Sequence, residues 1–329
     1  MNRAQRDPDG GVSLIDEHLP WEAGIVVVGY ASLDHSMALT GFNGMDATSI
    51  IDKRLSSAWP KVGGIAHIVQ AAVKYANGPT CALSWVGPDS YGKKWLAAVQ
   101  NAGVDVEGVA VTGTRSPSAY IMYVEQSGAL CFFDPADCHR STLSPQQERM
   151  LKAAKWCLVN VGPQFITRRV LEIIPDSCKL VWAVKQDEEA TPRDLVVALL
   201  ERANIVSFSQ GERGFLAAGG VPVEGLCAPG TLLLETQGAR GVKYCFTTGV
   251  VDSSSVRPKE PEYGFVPAVP IESVDTTGAG DTFIGSLIGM MASDRIQCDS
   301  KTENYIKLAT EEVAEMLKSR IKSNEQLTR

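Results

Sequence analysis

The chain has 329 residues, 44% of them hydrophobic and 21% charged, the balance of a water-soluble globular protein with length for two ordinary domains or one large α/β unit. Thirty-one Lys and Arg stand against 38 Asp and Glu, a net charge of -7, which argues against a nucleic-acid-binding surface. No apolar run is long enough to cross a membrane as a helix.

Residues 1–23 are polar, mixed in charge and without an apolar core, so they predict a tail rather than a secretory signal. The apolar run at 25–29, ending in Gly29, predicts a buried strand. Ile65, Ile68, Val69, Ala72, Val73 and Ala76 form an i, i+3, i+4 stripe and predict a helix over 64–76. A strand at 80–86 and a helix at 92–101 follow. The rhythm then changes: 117–134 reads as two strands joined at Gln126-Ser127-Gly128, a hairpin signal.

From Ser144 onward helices (144–154, 164–174, 193–203) alternate with strands (156–161, 179–184, 204–208). Strands at 231–236 and 242–247, an extended segment at 264–270, a helix opening near Gly278 and another over 303–321 complete the pattern. This alternation predicts an α/β fold, a doubly wound and mostly parallel sheet flanked by helices. The segments near 31–50 and 110–135 break it and predict a small β-sheet lid. The eight cysteines show no C-x-x-C pair, and most lie in apolar segments. Buried reduced thiols, and with them a cytoplasmic location, are the expectation.

The segment richest in chemistry is Asp275-Thr276-Thr277-Gly278-Ala279-Gly280-Asp281-Thr282-Phe283. Its glycines let several backbone N–H groups point outward together, and the helix that follows makes them an anion hole. Asp281 falls in the first helical turn, where a carboxylate can take the proton of a hydroxyl that attacks phosphorus. The plainer reading is a glycine turn with a carboxylate complementing the helix dipole. One decoy lies at Gly87-Pro88-Asp89-Ser90-Tyr91-Gly92-Lys93-Lys94. It nearly matches a phosphate-binding P-loop, but Lys94 stands where a Ser or Thr is needed, and Pro88 removes an amide donor. A dinucleotide G-x-G-x-x-G fingerprint is absent.

The nine-residue string resembles the C-terminal signature of the ribokinase-like (PfkB) carbohydrate kinases. The resemblance spans about residues 24–320 and implies an enzyme that transfers the γ-phosphate of ATP to a hydroxyl of a sugar or sugar-like substrate. It implies a kinase domain over 24–329 with Asp281 as catalytic base and Gly278, Ala279 and Gly280 as anion-hole amides. Asp34, Gly63 and Gly64 resemble the family's substrate-binding positions. Ser209-Gln210-Gly211-Glu212 stands where the family shows Asn-x-x-Glu near magnesium, so Glu212 would reach the metal through water. The same S-x-x-E spacing is also a capping box. Thr236, Gly238 and Gly241 resemble the nucleotide-side loop, which also reads as a hairpin loop. Lys185 stands where many relatives carry an Asp at the strand end, facing phosphates or solvent.

The family's cofactors would be ATP and Mg²⁺, with a monovalent cation such as K⁺ near the anion-hole loop as a family-level option. One departure bears directly on substrate. Ile68 replaces an Asn that commonly bonds a sugar hydroxyl, so weak activity on ribose and fructose is expected, with an apolar substrate edge toward Ile68. His67, its neighbour, is the candidate to restore that contact. A nucleoside kinase of the same fold, stacking a base on Tyr120, Tyr123, Phe132 or Phe133, and a non-catalytic ligand-binding relative are the alternatives. The expected partners are a small-molecule substrate and a second copy pairing through the lid, with no nucleic acid or membrane.

Overall fold

Four consecutive buried residues, Ile25–Val28, form the strand β1 inside the large sheet, because an all-apolar run suits a strand covered on both faces. The computed structural model describes residues 24–55, 59–124, 128–139, 142–217, 220–247, 263–271, 275–293 and 302–325. The expected N-terminal tail lies outside them. After β1 come β2 (Ala31–Leu39), β3 (Ile51–Arg54), β4 (Lys61–Gly64), α1 (Ala66–Val73), β5 (Thr80–Val86), α2 (Ser90–Asn101) and β6 (Val109–Val111). Then come β7 (Ser118–Val124), β8 (Gly128–Asp134), α3 (Pro145–Ala153), β9 (Trp156–Val159), α4 (Gln164–Ile173), β10 (Lys179–Ala183), α5 (Arg193–Arg202) and β11 (Ile205–Ser209). The short α6 (Arg213–Leu216), β12 (Leu232–Thr236), β13 (Gly241–Phe246), β14 (Tyr263–Pro267), α7 (Ala279–Met291) and α8 (Thr302–Glu325) complete the described elements.

The large sheet has the order β14-β13-β12-β11-β10-β9-β1-β5-β6. It is parallel from β6 to β12, while β13 and β14 are antiparallel. Side-chain alternation along β1 divides the core. Val26 and Val28 join Met150, Val170 and Leu199 of α3, α4 and α5 on one face. Ile25 and Val27 join Ile68, Trp95, Ile284 and Ile306 of α1, α2, α7 and α8 on the other. This is the doubly wound arrangement expected from the sequence. No described helix is long and apolar enough to span a membrane. The seven described cysteines are free thiols, all buried but Cys131.

The second sheet has the order β3-β2-β7-β8, with β4 also paired to β2. The lid therefore exists, with altered bounds. Strand β2 stops at Leu39, and the lid continues into β3 and β4, whose short polar stretches carry no strand signature. Residues 109–111, at the expected start of the second lid segment, belong to the large sheet as β6. Gly63 and Gly64 end a lid strand instead of opening a helix. Of the predicted hairpin turn, residues 126 and 127 lie outside the described residues.

Register separates the two lid faces. Asp34 pairs with Ala119, and Ala119 with Phe133, so these share a face with Ile121 and Tyr123. His35, Tyr120 and Phe132 form the opposite face, where the His35 ring stacks on Tyr120 at 4.7 Å between centroids. The four lid aromatics named from the sequence thus split into two pairs on opposite sides.

Candidate active site

The close approach of α1 and α7 fixes the site. Added Cβ atoms at Gly285 and Gly289 would lie 2.3 Å and 2.4 Å from the carbonyl oxygens of Ile68 and Ala72. Only bare backbone permits that contact. Ile68 is fully buried there. The expectation that a substrate edge lies against Ile68 is therefore corrected: helical periodicity turns it into the α1–α7 core, away from the cleft.

At the N-terminus of α7, Gly278 adopts a left-handed conformation with φ 76°. A Cβ there would also lie 2.4 Å from the His67 ring, so glycine is required twice over. His67 stands against this loop. Its Nε2 is buried without a hydrogen-bond partner, and burial pulls its pKa down to about 4, leaving a neutral imidazole. Ala279 and Gly280 form the first turn of α7. Open space surrounds the Cβ direction of Gly280, whose φ is not left-handed. Ala279 N donates to the Thr276 carbonyl oxygen at 3.0 Å, which corrects the expectation that it serves the anion hole; the amides of Gly280 and Asp281 remain at the positive dipole end of α7 and border a cavity of about 480 Å³.

Lys185, just beyond β10, brings its Nζ to 3.4 Å from Oδ1 of Asp281. The Asp281 carboxylate, then those of Glu212 and Asp34, hold the Lys185 ammonium above its usual range. Asp34 is buried on β2, and burial pushes its pKa up to about 6, against the bond Ser32 Oγ donates to it at 2.8 Å. A Cβ at Gly63 would fall 2.1 Å from the Asp34 carboxylate. The glycine thus makes room for the acid, where the sequence suggested an approach to substrate. Gly64 serves the backbone turn, pressing on Tyr30 with φ 59°.

The cavity runs from this polar end to an apolar end at Ile271, Val313, Ala314 and Leu317. Lys185, Ser209, Glu212, Thr236, Gly238 and Gly241 all line it, as the sequence reading grouped them. Gly241 has a structural duty as well, since a Cβ there would lie 2.1 Å from the Val266 carbonyl oxygen. The capping box of Ser209 and Glu212 is complete, with Ser209 N donating to Glu212 Oε2 at 2.7 Å, and Glu212 also borders the cavity. Among the described residues no cluster of three or more His, Cys, Asp or Glu could hold a metal unaided. A cation here would draw ligands from the nucleotide's phosphates, and one or two carboxylates suit Mg²⁺ on those terms.

The loop before α7 is tied from several sides. Asp275 accepts from Thr277 N at 3.1 Å and is paired with Lys61 of β4. The Thr277 hydroxyl meets the Tyr123 hydroxyl of β7 at 2.6 Å. Arg320 of α8 donates to the Thr277 carbonyl oxygen at 2.6 Å. Lys61, Tyr123 in this role, Arg320 and Ser32 escaped the sequence reading, because only the fold brings them to the motif. The P-loop decoy is a structural turn. Asp89 caps α2 by accepting from Gly92 N at 2.8 Å, and also accepts from Ser116.

Rice fructokinase-1 is 28% identical over 275 residues, covering 75% of this chain and 79% of its own. A fructokinase of Klebsiella pneumoniae is 25% identical over 256 residues, covering 71% and 78%. Among solved structures, the Cryptococcus neoformans ribokinase in complex with ADP superposes with a TM-score of 0.68 at 17% identity, covering 88% of this chain and 91% of that one. Arabidopsis thaliana ribokinase complexed with ribose and ATP gives 0.66 at 20%, covering 88% and 90%. The sequence profile of the pfkB family carbohydrate kinases matches residues 23–311, so the chain belongs to that family.

Proposed function

We propose that the protein transfers the γ-phosphoryl group of MgATP to a hydroxyl of a small sugar, with fructose the first candidate. The observation that carries this reading is the meeting of Asp281, Lys185 and the free amides of α7 at one end of a nucleotide-sized cavity. Asp34 is within electrostatic range of both charged side chains. The name fructokinase recurs among the relatives, and an Escherichia coli structure of the same fold holds ATP and Mg²⁺.

In this reading Asp34 and Ser32 receive substrate hydroxyls from the lid side, since a charged acceptor makes the stronger bond. Asp281 takes the proton of the attacking hydroxyl. The α7 amides and Lys185 face the charge that develops on the transferring group. The apolar end of the cavity takes the base of the nucleotide, and Glu212, which lines the same cavity, would help hold the metal. When bound, Mg²⁺ supplies neutralisation of phosphate charge. Lid closure excludes water that would hydrolyse ATP.

The test is ADP release with fructose, ribose, other hexoses and nucleosides as acceptors, with ³¹P NMR of the product. Turnover of a sugar at least tenfold above the acceptor-free rate is expected. ATP binding without transfer to any acceptor would favour the non-catalytic reading, and preference for nucleosides the other alternative. The open edge strand β8, with Phe132 57% exposed, supports a second copy pairing through the lid, since bare strand edges invite partners. Light scattering measures that directly.

A further inference from the structure

The family resemblance offers a monovalent cation near the anion-hole loop, and the described residues around that loop do not fit one. Four oxygen-bearing groups of that loop already accept hydrogen bonds. The carbonyl oxygens of Thr276 and Gly278 accept from Ala279 N at 3.0 Å and Thr282 N at 2.8 Å. Asp275 accepts from Thr277 N on Oδ1 and from Lys61 on Oδ2. The Thr277 carbonyl oxygen accepts from the Arg320 guanidinium at 2.6 Å. The Lys61 and Asp275 side chains are 14% and 8% exposed, so that pair is desolvated. A K⁺ ion gives up its water for a ring of oxygens that replaces its hydration shell, and each hydrogen bond already made weakens an oxygen as a member of that ring. Here it would also face the Arg320 guanidinium in a partly buried setting, where like charges repel with little screening, while the nearby carboxylate of Asp275 is already neutralised by Lys61.

We infer that Arg320 and Lys61 are built-in substitutes for a monovalent cation, holding the anion-hole loop in its working shape without K⁺. A guanidinium suits this role, because it never loses its charge and has several donors for a carbonyl oxygen. It arrives from α8, a helix packed on α7, while Lys61 arrives from the lid. The loop is thereby fastened to both neighbours of the cleft. Arg320 is a positioning residue, since its contact is with the loop.

The inference rests on the kinase reading for its kinetic arm only. The structural arm is a crystal of the native protein soaked in thallium(I), which mimics K⁺ and scatters anomalously. No thallium peak within 4 Å of the Thr277 carbonyl oxygen is expected, and a peak there overturns the inference. The kinetic arm compares native kcat and KM in potassium chloride and tetramethylammonium chloride at equal ionic strength. Rates within twofold are expected, and tenfold or greater activation by K⁺ overturns it. Arg320→Met should lower kcat about 10²-fold, as a small misplacement of catalytic groups does, with less effect on KM. Arg320→Lys should recover most of that loss. If Arg320→Met does not fold, the native-protein arms still decide. Absence of phosphotransfer in every salt would count against the kinase reading, while the anomalous map still answers the cation question.

Discussion

Lys185 Nζ lies 3.4 Å from Oδ1 of Asp281, joining the end of β10 to the first turn of α7. The pair brings an acid that can accept a proton next to a cation that can face phosphate oxygens. Neither element holds both, so the site is assembled by the sheet order.

Separate substitutions should divide these roles. Asp281→Asn keeps the shape but cannot take the proton, so kcat should fall about 10²–10⁴-fold with ATP affinity nearly unchanged. Lys185→Met removes the charge that, in the proposed mechanism, faces the phosphoryl group, so kcat should fall about 10²–10³-fold, with weaker ATP binding. Steady-state kinetics with calorimetric ATP titration separates the two. Unaltered turnover in the Asn variant removes Asp281 from its role.

Asp34 gives a pH signature. Its folded pKa of about 6 lies above the ordinary 3.8, so the native state keeps the proton at pH values where the unfolded chain has lost it. Native stability from this group is present at low pH and is lost as pH rises through about 6. Asp34→Asn removes that loss, and above pH 7 it should stabilise the fold by about 1–3 kcal/mol. In the proposed mechanism the ionised Asp34 accepts substrate hydroxyls, so substrate binding should behave oppositely. Native kcat/KM should fall below pH 6, and the Asn variant should lose this limb while KM rises. Thermal melts and pH–rate profiles of both proteins test the paired signs.

Two glycines two residues apart should respond differently. Gly278→Ala meets both the φ of 76° and the His67 ring at 2.4 Å, so it should cost about 1–3 kcal/mol of stability and distort the loop. Gly280 has open space at its Cβ direction and no left-handed φ. Gly280→Val should therefore leave the melting temperature within a few degrees of native, while its side chain obstructs the phosphate end and abolishes turnover. A reversed order of melting temperatures overturns this assignment.

Local pattern made the large sheet legible. The predicted helices and the strands of 25–29, 80–86, 156–161 and 179–184 recur within a few residues, because their apolar periodicity is the cause of their burial. The lid was legible only as a break in rhythm. Strands β3 and β4 are short and polar or glycine-bearing, held by pairing to β2, which sequence periodicity does not encode. In the site, the motif residues were legible because one contiguous string carries them. Lys61 and Asp275 are 214 positions apart, so no spacing rule finds that pair. Nor could composition show that Ile68 turns inward while His67 meets the loop, since one residue of helical register decides it.

The Tyr123–Thr277 bond links lid to loop and supplies the last prediction. The two hydroxyls meet at 2.6 Å across the cleft, one on β7 and one beside Gly278. Burial holds the Tyr123 pKa above its usual value, so the phenol keeps its proton and can remain a donor. A hydrogen bond of this kind is worth about 0.5–1.5 kcal/mol net, a factor of about 2–13 at room temperature. Tyr123→Phe keeps the ring and its packing but drops that bond. If the bond holds the lid against the loop, kcat/KM for the sugar should fall by about that factor, and acceptor-free ATP hydrolysis should rise as water gains entry. The melting temperature should stay within a few degrees of native, because the ring still fills its place. Thr277→Val should give the same pair of changes. The double variant should be no worse than either single one, the coupling expected of two groups whose main interaction is with each other. Additive losses in the double variant, or an unchanged ratio of sugar phosphorylation to ATP hydrolysis, would show that the two hydroxyls act independently and that the lid is held elsewhere.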